Sequence, residues 1–184
     1  MRLVLIRHGA TQGNVERRYV GATDEGLCEA GRACLLQRDW PQVQLVAASP
    51  MRRCTETAAL IYPAHRPILV PGFREIDFGD WEYSTAEQLS GSPAYQAFID
   101  SGGALPFPGG ESREAFVARC VTAFERLMRE HASAQSMAIV AHGGTIMSIL
   151  SRHARPARPY FDWQLNSGGA LVCAWDGQHI TMTQ

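Results

Sequence analysis

Two histidines in this sequence follow directly on short apolar segments, and each is itself followed by glycine. His8 comes after the segment 3–6, with Arg7 between them, and His142 comes after the segment 137–141. A neutral imidazole can act as a nucleophile, and an adjacent glycine lets backbone N–H groups approach a ligand closely. An arginine beside such a histidine suits a phosphoryl group, because the guanidinium matches its oxygen atoms bidentately.

A further pair of arginines follows a third apolar segment. Arg52 and Arg53 come just after the segment 44–48, separated from it by Ser-Pro-Met. If the three segments are parallel strands, their carboxyl ends meet at one edge of a sheet, which is where α/β sheets bind ligands. Two histidines and at least two arginines would then share one cleft. The histidines lack the local spacing of metal ligands and the arginines would oppose a cation, so we expect no metal site.

The elements around these residues predict an α/β fold. The three apolar segments lack polar alternation, which is typical of central strands that are covered on both faces. Apolar residues at three- and four-residue spacing predict a helix over 112–131. Further helices are predicted over 28–39, over 51–62 and from Gly143 through Leu150. Two tail segments, 171–175 and 179–182, are predicted to be joined by a turn at Asp176-Gly177. The segment 73–111 is rich in glycine and proline and is predicted to be irregular. We expect three α/β/α layers, a mainly parallel sheet and one domain over 1–184.

Composition excludes several classes of function. The 17 Lys and Arg against 18 Asp and Glu give a net charge of −1, so no overall basic field would attract nucleic acid or anionic lipid. The apolar segment 3–6 is too short for a signal peptide or a membrane span, so we expect a cytoplasmic protein. The 5 cysteines are an odd number without a C-x-x-C pair, which argues against a disulfide framework or a zinc site.

Five motifs, taken together and in order, resemble the histidine phosphatase superfamily, the phosphoglycerate mutase-like proteins. They extend from residue 2 to about residue 153. The motifs are Arg7-His8-Gly9-Ala10-Thr11 with Asn14, Ser49-Pro50-Met51-Arg52-Arg53 with Thr57-Ala58, Arg74-Glu75-Ile76-Asp77-Phe78-Gly79-Asp80-Trp81-Glu82, Pro108-Gly109-Gly110-Glu111-Ser112 and Ala141-His142-Gly143-Gly144. The segments 19–24, 74–81 and 107–112 are most similar to the branch that includes α-ribazole 5′-phosphate phosphatases.

The resemblance implies a role for each of these residues. His8 would be the nucleophile, Arg7, Arg53 and His142 would bind the phosphoryl group, and Glu75 would be the general acid and base. Arg53 is chosen over Arg52 because the family pattern is Ser-Pro-Leu-x-Arg. Candidates for substrate binding are Asn14, Thr23, Gly143 and Glu111.

Some of these roles have plain structural alternatives. From the residues alone, Asp77, Asp80 and Glu82 compete with Glu75. Asn14 could be a simple helix cap, and Glu111 could belong to a helix start, with Ser112 as the N-cap. A carboxyl that donates a proton near neutral pH also needs a raised pKa, so Glu75 should be partly desolvated.

The predicted function is a cofactor-free phosphomonoester hydrolase that forms a phosphohistidine on a small phosphorylated metabolite. One candidate substrate is α-ribazole 5′-phosphate. Alternatives are a broad-specificity sugar or nucleotide phosphatase, a phosphoglycerate mutase and a non-catalytic phospho-ligand binder. Two departures from the family pattern, at 25–28 and at Tyr83, lie where they would affect substrate selection or loop conformation.

Overall fold

The computed structural model describes residues 1–183 and has one central sheet. Its seven strands lie in the order β3-β2-β4-β1-β6-β7-β5. The first four are parallel to one another, and β6 is antiparallel to β1 and to β7. The strands are β1 (Arg2–Arg7), β2 (Leu45–Ala48), β3 (Ile68–Leu69), β4 (Ser136–Ala141), β5 (Ala154–Arg155), β6 (Ala170–Trp175) and β7 (Ile180–Met182). The predicted α/β fold with a mainly parallel sheet is confirmed.

The central strands are apolar throughout because both of their faces are covered. Leu3 and Leu5 of β1 belong to a core cluster that also contains Phe124 and Ile146. Their neighbours along β1 point to the other face, into a cluster that contains Cys54 and Ala58. Successive side chains of a strand alternate between faces, so a strand buried on both sides shows no polar alternation.

Seven α-helices within residues 1–183 connect and cover the strands. They are α1 (Gln12–Val15), α2 (Glu29–Leu36), α3 (Arg52–Ile61), α4 (Ala86–Leu89), α5 (Pro93–Asp100), α6 (Arg113–Glu130) and α7 (Gly143–His153), with 3₁₀ turns at Pro71–Phe73, Gly79–Trp81 and Tyr160–Trp163. The predicted helix over 112–131 is confirmed, and Ser112 accepts a hydrogen bond from the Ala115 N–H as its N-cap. The helix predicted over 28–39 ends earlier, at Leu36.

The segment 73–111 is less irregular than predicted, which corrects the sequence-based expectation for residues 86–100. A capping box between Thr85 and Gln88 begins α4, and Pro93 at the first position begins α5. Each helix is short because glycines with positive φ follow it, at Gly91 and Gly102. Glycine and proline marked the ends of these helices rather than an absence of structure.

The tail is a hairpin, as predicted. Asp176 accepts hydrogen bonds from the N–H groups of Gln178 and His179 at 2.8 and 2.7 Å, and these bonds close the turn between β6 and β7. Across residues 1–183, no helix has both the length and the apolar character needed to cross a membrane.

Candidate active site

The ends of β1, β2 and β4 meet at one edge of the sheet, as the sequence predicted. The His8 N–H donates to the carbonyl of Ala141 at 2.9 Å, and the Ser49 N–H donates to the carbonyl of Val140 at 3.0 Å. These bonds continue the ladders of the sheet by one residue beyond the strands. The side chains that follow each strand are therefore positioned by sheet register rather than by loop conformation.

His8 is held in the form a nucleophile requires. The residue is 3% exposed, and Nδ1 of its ring lies 2.7 Å from the carbonyl oxygen of Gly9. A carbonyl can only accept, so Nδ1 carries the proton and the lone pair of Nε2 is free. Burial, with the charges of Arg53 and Arg7, lowers the pKa of His8 well below its ordinary value of 6.5. The imidazole is neutral at pH 7.

His142 and Arg53 form a buried pair beside His8. Arg53 Nε donates to His142 Nδ1 at 3.1 Å, so the proton of the neutral ring is on Nε2, which lies 2.8 Å from Ser49 Oγ. The two imidazoles meet edge-on with their centroids 5.2 Å apart. Burial and the charge of Arg53 hold the pKa of His142 well below 6.5. Arg53 thus fixes the tautomer of its neighbour and keeps a positive charge at the site.

The two arginines differ in how many N–H groups they have committed. The terminal nitrogens of Arg53 donate to the carbonyls of Thr23 at 2.7 Å and Gly21 at 2.8 Å, so most of its donors are bound to protein. Arg7 donates from Nη1 to the carbonyl of Leu165 at 2.6 Å, and its buried Nε has no partner among residues 1–183. Arg7 therefore has N–H groups to offer a ligand. It lies at the start of α7, where a Cβ on Gly143 would be 3.6 Å from the Arg7 guanidinium carbon.

Glu75 lies at the same edge, across from Arg7. Its Oε1 accepts from the Ile76 N–H at 3.0 Å and its Oε2 accepts from the Gly144 N–H at 3.3 Å. Burial raises the pKa of Glu75, although these hydrogen bonds and the charges of Arg53 and Arg7 oppose the shift. The raised pKa is the property that a proton donor near neutral pH needs. A Cβ on Gly144 would lie 2.5 Å from Glu75 Oε1, so this close approach depends on glycine.

An apolar cavity of about 520 Å³ extends outward from this edge. Arg7, Glu75, Gly143 and Gly144 line its inner end, and Arg113 contributes a further cation to its wall. Most of the remaining wall is aromatic: Tyr19, Phe78, Phe98, Phe107, Phe116, Tyr160 and Phe161. This wall could not be predicted from the sequence. Its residues come from separate segments without a common periodicity, and their only shared signal is aromatic character.

Three predicted substrate-binding residues have other partners. Asn14 closes a capping box with Thr11, each side chain accepting from the other's N–H at 3.2 and 3.3 Å. Thr23 contributes its carbonyl to Arg53. The carboxylate of Glu111 forms a two-point ion pair with Arg119 at 3.0 and 2.7 Å and is not among the residues that line the cavity, so its role in substrate binding stays a prediction.

Arg119, which the sequence analysis missed, supports the segment that carries Glu75. Besides binding Glu111, it donates from Nη1 to the carbonyls of Gly72 and Arg74, each at 3.0 Å. A charged residue on the exposed side of a predicted amphipathic helix gave no signal of this role. Within residues 1–183, no three His, Cys, Asp or Glu side chains are grouped so that they could hold a metal ion.

The fold and the site define an α/β protein with a buried neutral histidine beside two arginines at the carboxyl edge of its parallel strands. The family model of the histidine phosphatase superfamily (branch 1) matches residues 3–184, and the chain belongs to this superfamily. The superfamily and the phosphatase function predicted from the five motifs are thereby confirmed.

Individual relatives resemble the chain along most of its length. It is 31% identical to phosphoglycerate mutase-like protein 4 of Arabidopsis thaliana, over 98% of this chain and 82% of that protein. It is also 31% identical to the adenosylcobalamin/α-ribazole phosphatase of Salmonella typhimurium, over 91% of this chain and 87% of the relative. The crystal structure of the α-ribazole phosphatase of Shigella flexneri superposes with a TM-score of 0.88 at 27% identity, covering 100% of this chain and 95% of that one.

Proposed function

We propose that the protein hydrolyses phosphomonoesters through a phosphohistidine on His8. The observation that carries this proposal is the pairing of a neutral His8, whose Nε2 lone pair is free, with an adjacent Arg7 that has uncommitted N–H groups. A nucleophile and an anion ligand side by side are what covalent phosphoryl transfer needs, and binding alone would not require the nucleophile. The proposed reaction has two displacements.

In the first displacement, His8 Nε2 attacks phosphorus and the bond from phosphorus to the ester oxygen breaks. The Gly9 carbonyl, bonded to Nδ1–H, stabilises the positive charge that develops on the ring. Arg7, and the charge of the buried Arg53–His142 pair, stabilise the charge on the equatorial oxygens. Protonated Glu75 donates its proton to the leaving alkoxide, which departs as an alcohol.

In the second displacement, water replaces the imidazole. Ionised Glu75 takes a proton from the water while the water oxygen attacks phosphorus and the bond to His8 Nε2 breaks. Neutral His8 and protonated Glu75 are restored, and inorganic phosphate leaves. The hydrogen bonds from the Ile76 and Gly144 N–H groups stabilise the ionised carboxylate in this half of the cycle.

The aromatic wall favours substrates that carry a flat aromatic group. The aromatic rings of the cavity would bury a heterocycle and stack against it. A polar metabolite without an aromatic ring would gain no such contact. We therefore place α-ribazole 5′-phosphate, an ester with a benzimidazole base, first among candidate substrates. The α-ribazole phosphatases among its relatives support this choice.

A second substrate class is favoured by Arg113. Its guanidinium lies on the cavity wall, with Nη1 donating to the carbonyl of Gly102 at 3.2 Å, and it could bind a carboxylate bidentately. Phosphoserine or 3-phosphoglycerate would use such a group.

We further propose that residues 1–184 act as one domain in the cytoplasm.

A substrate panel in the presence of EDTA tests the proposal. We expect His8-dependent hydrolysis of p-nitrophenyl phosphate without a divalent ion, and a higher kcat/KM for α-ribazole 5′-phosphate than for phosphoserine, 3-phosphoglycerate, sugar phosphates and nucleotides. The matched control is His65→Ala, because His65 lies outside the cleft and contacts the carbonyl of Val43. Hydrolysis that requires a divalent ion, or that survives His8→Ala, would contradict the mechanism. A preference for phosphoserine would contradict the substrate and leave the mechanism standing.

A further inference from the structure

The carboxylate of Glu82 joins two loops at the edge of the site. Glu82 follows the 3₁₀ turn at Gly79–Trp81, and its Oε1 accepts from the N–H groups of Gly21 and Thr23 at 2.7 and 2.9 Å. Its Oε2 accepts from the Phe78 N–H at 3.3 Å. Hydrogen bonds to an ionised acceptor are stronger than neutral ones, so one side chain fixes the backbone of both loops.

The same two residues, Gly21 and Thr23, hold Arg53 from their other side. Their N–H groups bind Glu82, and their carbonyls accept from Arg53 Nη2 at 2.8 Å and Nη1 at 2.7 Å. Arg53 in turn donates from Nε to His142 Nδ1. A continuous series of hydrogen bonds thus connects the Glu82 carboxylate, through two backbone segments and a guanidinium, to an imidazole beside His8.

The packing leaves this series little freedom to rearrange. A Cβ on Gly21 would lie 2.0 Å from the carbonyl oxygen of Ile76, so the two loops touch backbone to backbone. Arg53 is fully buried, and water therefore cannot replace a carbonyl that moves away. A change in the loop 20–24 would be passed to the Arg53 guanidinium.

We propose that Glu82 is a positioning residue for phosphoryl transfer. It holds the carbonyls of Gly21 and Thr23 where they orient Arg53, and Arg53 sets the position and tautomer of His142. This inference rests on the proposed function, since it takes Arg53 and His142 to stabilise the transferring phosphoryl group. In this role Glu82 acts through Arg53, because its carboxylate binds backbone N–H groups of the two loops.

A neighbouring carboxylate provides a matched comparison. Asp77 Oδ1 accepts from the Gly79 N–H at 2.9 Å, which is a carboxylate-to-backbone bond within a single loop. It makes no bond to the loop 20–24. If carboxylates here serve only to stabilise loop structure, Asp77→Ala and Glu82→Ala should affect turnover alike.

The experiment measures kcat and KM for p-nitrophenyl phosphate in both variants. We expect Glu82→Ala to lower kcat by about 100-fold, the effect of a displacement of roughly 1 Å in positioning groups. KM should change by less than about threefold, because interactions specific to the transition state act on kcat. Asp77→Ala should keep kcat within about twofold of wild type, because Asp77 is exposed, its side chain bonds only within its own loop, and surface substitutions usually perturb the fold little. Glu82→Gln, which retains the Oε1 acceptor for two N–H groups, should restore most of the activity.

A second measurement is independent of turnover. The ¹⁵N chemical shifts of the His142 ring in substrate-free protein report whether Nδ1 accepts a hydrogen bond, as Arg53 Nε requires. These shifts should change in Glu82→Ala and return in Glu82→Gln. Unchanged ring shifts together with wild-type kcat in Glu82→Ala, or equal losses of kcat in Glu82→Ala and Asp77→Ala, would overturn the inference.

Two further outcomes, a failure of Glu82→Ala to fold and a failure of the proposed function, are interpreted separately. If Glu82→Ala does not fold, Glu82→Asp decides, because its carboxylate keeps the charge but is one methylene too short to bridge both loops. A lowered kcat at constant KM then supports the positioning role, and an unchanged kcat overturns it. If wild-type turnover does not depend on His8, the proposed function fails, and the ¹⁵N shifts still test the link from Glu82 to His142.

Discussion

The two ends of the cleft are built in different ways. The inner end is lined by Arg7, Glu75, Gly143 and Gly144 and adjoins His8, Arg53 and His142. Apart from Glu75, these reactive groups lie at or after strand ends, are largely buried, and bind one another or backbone groups. The outer end is an aromatic wall on loops and short helices, and Phe161 there is 56% exposed. The sheet positions the groups that react, while the connecting segments line the space proposed for the non-reacting part of the substrate.

This difference separates the residues that carry out the reaction from those that select the substrate. Backbone hydrogen bonds at the strand ends hold the reactive groups in a register that cannot shift without breaking the sheet. The aromatic wall can change residue by residue without disturbing that register. Substitutions at the inner end should therefore act on kcat, and those at the outer end on KM.

The largest effect that separates the two ends is expected from Glu75→Gln. Loss of the acid should lower kcat for an alkyl phosphate by about 10²–10⁴-fold, the usual range for general acid catalysis. With p-nitrophenyl phosphate, whose leaving group needs no proton, the first displacement should persist and the second should slow. A burst of about one equivalent of p-nitrophenol per enzyme would show this. Glu87→Gln is the matched control, on the exposed helix α4.

The pH dependence of Glu75 has a defined sign. Its pKa is raised in the folded protein, so the acid form is present at low pH and is lost as pH rises through that raised pKa. For alkyl phosphates, kcat/KM should fall along this limb in wild type, and the limb should be absent in Glu75→Gln. A limb that persists in the variant would assign the acid to another group.

A smaller effect is expected at the outer end from Phe161→Ala. Removal of one stacking ring should raise KM for α-ribazole 5′-phosphate by about 2- to 10-fold, the value of an aromatic pair. We expect kcat to change little, because the ring contacts no reacting atom. Leu69→Ala is the control, since Leu69 is also exposed, at 53%, but lies on β3. A matching loss of kcat would mean that the two ends are coupled.

The smallest effect concerns stability and lies outside both ends. Cys28 is the N-cap of α2, with Sγ accepting from the Gly31 N–H at 3.4 Å. Serine is a much better cap, so Cys28→Ser should stabilise the fold by about 0.5 kcal/mol, or raise Tm by about 1–2 °C. Cys34→Ser within the same helix should not. Thermal unfolding of the two variants measures the difference, and a lower Tm for Cys28→Ser would show that the thiol contributes packing rather than a cap.

The sequence predicted the inner end well because each reactive residue follows a strongly apolar strand. His8 and His142 could be assigned to one sheet edge from the apolar segments that precede them, taken as parallel strands, before any resemblance was considered. Arg53 over Arg52, and Glu75 over its acidic neighbours, needed the family pattern. Glu82 was found only from the structure, because its partners are backbone groups some sixty residues away.

The outer end could not be predicted in the same way. Phe98 and Phe161 lie in separate segments, and only the folded chain brings them to one wall. Glu111 was expected to bind substrate because its motif resembles the family, and nothing in the sequence indicated its ion pair with Arg119. Loop residues are positioned by tertiary contacts that have no local signature.

The most direct test of the central claim is to trap the covalent intermediate. Wild-type protein mixed with substrate and quenched within the first turnover should carry one phosphate on His8, labile in acid and stable in base, as mass spectrometry of the peptide containing residues 7–9 would show. The His8→Ala variant should carry none. Acid-stable phosphate on Ser49, or turnover with no phosphate on His8 at any time, would contradict a phosphohistidine mechanism.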